Sequence, residues 1–176
     1  MYWLVSCALF AAAALPAFAG SPLRTDVALL SALLGAALAI ASTIDVRSFI
    51  LPNSITLPLI AAGPFVTAWF ETSPVYWSVA SAALGYGLFW AADQLYLKLR
   101  GQHGIGMGDA KLLAAAGAWL GAEALPTVML WATGLALAVA LLAAADGRHL
   151  AARTKLPFGP ALAMGCWLTW LYGALA

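Results

Sequence analysis

The chain has 176 residues, of which 64% are hydrophobic and only 9% charged, against roughly 25% charged in a soluble domain. Too few charges are present to cover a water-facing surface, and a mean hydropathy of +0.94 makes the bilayer the expected solvent. The net charge of +1 speaks against a nucleic-acid partner and against a polybasic mode of membrane-surface binding.

Seven apolar runs follow one another: Tyr2–Ala19, Val27–Ile44, Ile55–Phe70, Val75–Leu97, Ala110–Leu120, Ala124–Ala145 and Phe158–Ala174. Most approach the roughly 20 residues that a helix needs to cross the hydrocarbon. Strand alternation is absent, and a chain in lipid must satisfy its own backbone hydrogen bonds, so helices are expected. The fold class is therefore all-α, a polytopic transmembrane bundle of about seven helices forming one domain over residues 1–176. The first run ends in Ala17-Phe18-Ala19-Gly20, which resembles a signal-peptidase site. No Lys or Arg precedes it, so retention is expected; its loss would leave six helices. Trp3, Trp69 and Trp77 read as interfacial anchors. The prolines Pro52 and Pro58 are expected to set a break before the third run, as Pro157 and Pro160 are before the last.

Basic residues orient the bundle. Arg47, Lys98, Arg100, Lys111, Arg148, Arg153 and Lys155 fall on one side, and Arg24 alone on the other. The positive-inside rule places the former group, and with it the N-terminus, in the cytoplasm. The fifth run is too short to span, about 17 Å at 1.5 Å per residue. The segment before it, Gly101 to Asp109, is rich in glycine, and a loop dipping into the membrane would supply the missing length.

Charges in or beside apolar runs are functional candidates. Asp45 ends the second run and Asp109 begins the fifth, so the topology brings both to the cytoplasmic face. Two nearby carboxylates cannot easily both ionise, and a pair holding one proton can activate a water for amide hydrolysis. Gly104, Gly106 and Gly108 alternate before Asp109 and permit close approach of an extended chain; a plain surface loop is the other reading.

Gly106-Met107-Gly108-Asp109, within Gly104-Ile105-Gly106-Met107-Gly108-Asp109-Ala110-Lys111-Leu112-Leu113-Ala114, resembles the GxGD segment of the type IV prepilin peptidases. Ile44-Asp45 with Leu51-Pro52-Asn53 resembles the segment around the family's first aspartate, and Leu156-Pro157-Phe158-Gly159-Pro160 a third family segment. The resemblance implies catalysis by Asp45 and Asp109; Gly104, Gly106, Gly108, Lys111, Pro52 and Asn53 are the further candidates for binding substrate or shaping the site. It also implies no cofactor or metal, a bacterial inner-membrane location, and a prepilin or pseudopilin precursor cut after a glycine at the cytoplasmic face. Membrane lipid is then the second partner. Asn53 stands where many relatives carry Asp. The sequence contains no paired CxxC motifs, which implies a compact peptidase-only form without methyltransferase activity.

The remaining polar residues have plainer readings. Lys111 is two residues from Asp109 on a helix, so it does not face it and reads as a snorkelling lysine. Asp93 reads as a structural hydrogen-bonding group, and His103 and His149 as solvated. Cys7 and Cys166 lie in apolar runs and read as small hydrophobes. A small proton-coupled transporter is the alternative class, since intramembrane carboxylates also relay protons. Transport sites favour the midplane and internal repeats, neither of which is evident.

Overall fold

The computed structural model describes residues 8–12, 25–104, 106–145 and 157–173. Helix α1 is described over residues 8–12. Then follow α2 (Thr25–Ser48), α3 (Asn53–Trp69), α4 (Val75–Arg100), α5 (Met107–Leu120), α6 (Leu125–Ala145) and α7 (Gly159–Tyr172), with a 3-10 turn at Ala122–Ala124 before α6. Among the described residues there is no strand, and the architecture is an all-α helical bundle. Cys7, Trp3, the Ala17–Gly20 segment, Arg24, Ile105, Arg148, His149, Arg153, Lys155 and Leu156 lie outside the described residues.

Helix α5 is the centre of the bundle. Its residues from Leu112 to Trp119 are all buried, and it packs against α3, α4 and α7. Alanine and glycine make this possible, because small side chains let helix backbones approach where lipid supplies no hydrophobic push. Gly117 of α5 lies against the Ser81 carbonyl of α4, and a Cβ on Gly85 would come 2.5 Å from the Leu113 carbonyl oxygen. A Cβ on Gly63 of α3 would come equally close to the Ala118 Cβ. Side-chain hydrogen bonds lock these contacts: the Ser78 hydroxyl donates to the Ala118 carbonyl at 2.6 Å, and the Trp119 indole to the Leu59 carbonyl at 2.8 Å.

Helix α7 plays the same part for the other side, packing on α2 and α6. The Trp167 ring fills the space over Gly35 and donates to the Phe10 carbonyl at 3.0 Å. Gly165 abuts the Val128 carbonyl. The bundle thus has an α3–α4–α5 half and an α2–α6–α7 half, joined chiefly where α5 meets α7 and also where α2 meets α3 and α5 meets α6.

Large apolar side chains face outward, among them Leu33 (67% exposed), Phe65 (76%) and Leu142 (71%). Contiguous apolar surface of this kind is not stable against water and suits hydrocarbon. The stretches Asp26–Ser48 and Ala122–Ala145 are long and apolar enough to cross a membrane.

Two boundaries differ from those expected from the sequence. Helix α5 begins at Met107, so Asp109 and Gly108 lie inside its first turn; the hydropathy of the run begins only after the polar first turn. Pro58, expected at the break before the third run, sits inside α3 together with Pro64, and only Pro52 stands at the N-cap. A proline costs a helix one backbone hydrogen bond, which a membrane helix tolerates when neighbours re-satisfy the freed group.

Candidate active site

Asp45 lies one turn from the end of α2 and is 6% exposed. The helix stops just beyond it at Phe49, whose φ of 54° is unusual for a bulky residue. The Phe49 N–H donates to the Asp45 carbonyl at 2.8 Å, and the chain then runs through Ile50 and Leu51 to Pro52, where α3 starts. The backbone of Gly159 at the start of α7 lies directly against Asp45. Gly159 sits so close that a Cβ there would fall 2.6 Å from Asp45 Oδ2.

Asp109 is in the first turn of α5. Gly106 is the N-cap, with extended backbone, and its carbonyl accepts from the Asp109 N–H at 3.0 Å. Gly108 faces the α2–α3 connection, where a Cβ would come 2.9 Å from the Leu51 Cβ. The bare face of Gly108 therefore lets the first turn of α5 settle against the loop that follows Asp45.

Both carboxyl groups line one open cavity of about 360 Å³ and lie near enough to interact electrostatically. Asn53, Gly106, Lys111 and Phe49 share its wall. Sixty-four positions of sequence are bridged because α5, on its own side of the bundle, meets α7, which holds α2.

Lys111 is not simply a snorkelling lysine. Its ammonium donates to Asn53 Oδ1 at 2.7 Å, tying α5 to the first residue of α3. This bond is exposed, and such bonds are worth up to about 1 kcal/mol. Lys111→Met is expected to slow turnover by no more than about fivefold; peptide-bond cleavage by the purified variant measures this.

The glycines divide. Gly106 and Gly108 belong to the cavity wall, whereas Gly104 does not line it and packs on the Tyr96 ring. The alternating glycines do not form one extended strip, since Gly108 is already helical. His103, expected to be solvated, is 66% exposed but its Nδ1 lies 2.6 Å from Asp93 Oδ2. Cys166 is buried in the core at 2% exposure. Among the described residues, no three of His, Cys, Asp and Glu converge as metal ligands would.

The sequence alone gives Gly159 no role, although Pro157-Phe158-Gly159-Pro160 marks the start of a helix by its Pro at the first positions. Only the packing shows that this start touches Asp45.

Residues 32–142, more than half of the chain, match the family described as the type IV leader peptidase family. The chain belongs to that family. It is 46% identical over 138 residues to the prepilin leader peptidase/N-methyltransferase of Burkholderia pseudomallei, covering 78% of this chain and 44% of that protein. It is 38% identical over 131 residues to the protein of the same name from Dichelobacter nodosus, covering 74% and 44%. With the Neisseria gonorrhoeae protein of that name the identity is 39% over 126 residues, covering 71% and 42%. The chain thus spans less than half the length of the curated relatives it matches. No solved structure matches it. Family membership and the apolar helices make this a bacterial membrane protein, and membership in a peptidase family leaves the transport reading without support.

Proposed function

We propose that this protein is an intramembrane aspartic endopeptidase that removes the leader of type IV prepilin-like or pseudopilin precursors, cutting after a glycine at the cytoplasmic face of the inner membrane. The observation that carries the reading is the meeting of Asp45 and Asp109 at one open cavity. Two carboxylic groups close together hold one proton between them. The ionised member takes a proton from a water, whose oxygen adds to the scissile carbonyl carbon. The neutral member donates a hydrogen bond to the carbonyl oxygen as charge develops there. Return of a proton to the amide nitrogen lets the C–N bond break, releasing the leader with a new carboxylate and the mature protein with a free amine.

The setting supports this substrate class. Arg47, Lys98 and Arg100 lie near the ends of α2 and α4, on the side that the positive-inside rule assigns to the cytoplasm. An apolar groove of about 420 Å³ between α2 and α3 includes Leu33, Ala37, Pro58 and Leu59, and starts at Ser54, next to Asn53 of the cavity that holds both acids. It suits the apolar helix that follows a prepilin cleavage site. Transport of protons would not need such a groove beside the acids.

Incubation of the purified protein with a candidate prepilin in lipid, followed by mass analysis of the new N-terminus, tests the reading. One cut after glycine is expected; an intact precursor across a panel of prepilins overturns it. The chemistry also needs no thiol, so a Cys7→Ala, Cys166→Ala double variant and wild-type protein treated with a chelator should both keep processing within about twofold of control. Loss of activity in either would point to a thiol or metal mechanism instead.

A further inference from the structure

Asp93 is 1% exposed within α4, and a buried carboxylate requires hydrogen-bonded partners to be tolerated. Two of them come from the segment that leads to Asp109. His103 Nδ1 lies 2.6 Å from Oδ2, and the Gly104 N–H donates to Oδ1 at 2.9 Å. A carboxylate accepts, so Nδ1 carries the proton.

The surrounding geometry explains why such a tie is useful. Helix α4 ends at Gly101, whose φ of 71° reverses the chain and whose N–H caps the Leu97 carbonyl at 2.8 Å. The chain then folds back along the last two turns of its own helix. Gly104 lies flat on the Tyr96 ring, where a Cβ would come 2.6 Å from Cδ1. Two residues later Gly106 caps α5, and three residues beyond that stands Asp109. Gly101, Gly104 and Gly106 leave this connection with high conformational entropy unless something holds it. Side-chain bonds from a rigid, buried helix position do so.

We infer that Asp93 and His103 are positioning residues for the peptidase reaction, forming a latch that fixes the glycine-rich connection and thereby the first turn of α5 that carries Asp109. The inference rests on the peptidase reading for its kinetic consequence, but the latch itself is a conformational property that can be read without turnover. Neither residue lines the cavity, so the latch acts through Asp109 and not on the substrate.

The test uses the exposed member, which can be changed without opening the core. His103→Leu removes the donor; His103→Asn places an amide N–H where Nδ1 stood. Processing of a prepilin in lipid is expected to show kcat lowered roughly tenfold in His103→Leu, with KM within about twofold, and restored in His103→Asn. Hydrogen exchange in the peptide covering residues 101–106 should be faster in His103→Leu than in wild type and His103→Asn. Asp93→Ala, which loses both bonds, should show a larger drop in kcat, roughly 100-fold, and the fastest exchange. Wild-type kcat in His103→Leu, or equal loss in His103→Leu and His103→Asn, overturns the latch, as does unchanged exchange. If Asp93→Ala does not fold, the His103 pair decides. If wild-type protein cuts no prepilin, the peptidase reading fails while the exchange comparison still decides the latch.

Discussion

Asp45→Asn and Asp109→Asn should each lower prepilin processing on the order of 10³-fold or more, with the proteins still inserted and folded. General acid–base groups contribute about 10²- to 10⁴-fold each, and in this site neither can replace the other. An Asn at either position can still donate or accept a hydrogen bond, but it cannot take a proton from water. The substitution is nearly isosteric, so the packing around Gly159 and Leu51 is retained. The double variant should be little worse than either single one, because groups acting as a unit are not additive in their removal. Single-turnover processing in lipid, with thermal unfolding as a control, measures both points. Normal processing by either single variant would remove the dyad from consideration.

Gly159→Ala is the second large effect, and it separates activity from stability. Alanine is the better helix former by about 1 kcal/mol, and Gly159 does not have a left-handed backbone. The backbone of α7 therefore accepts the change. The new methyl, however, would lie 2.6 Å from Asp45 Oδ2 and 2.9 Å from Cγ, well inside van der Waals contact. Either the carboxylate rotates away or the start of α7 retreats from Asp45. Displacement of a reacting group by about 1 Å costs on the order of 10²-fold. The expected outcome is an unfolding temperature near that of wild type and kcat reduced roughly 100-fold. Wild-type kcat would show that the contact leaves the carboxylate free to adjust.

The contrast between α5 and its surroundings shows what could be read in advance. The expected run Ala110–Leu120 and the observed helix Met107–Leu120 share a C-terminus because Gly121, at φ 86°, terminates the helix, and a glycine after an apolar run is visible in one dimension. The N-terminus moved by three residues because hydropathy does not register a polar first turn. From the sequence Lys111 reads as turned away from Asp109, since side chains two apart on a helix diverge, yet both residues line one cavity. Its bond to Asn53 is not legible in the sequence, because residues 58 positions apart meet only once α3 and α5 are packed. Likewise His103 reads as a solvated loop residue and is 66% exposed, yet its ring is held by a carboxylate from the interior of α4.

The sequence by itself determined the apolar surroundings and the helical class, and it carries the expectation that Asp45 and Asp109 fall on one membrane side. Those properties follow from hydropathy summed over some 20 residues and from where Lys and Arg interrupt it, and such sums need no knowledge of partners. Only the tertiary structure decided that Gly159 touches Asp45, that Gly108 admits Leu51 and that Asp93 meets His103 and Gly104. Those contacts depend on the rotation and approach of each helix about its neighbours. Here small residues such as Gly85 and Gly117 set that approach at ångström scale, a distance over which hydropathy carries no information.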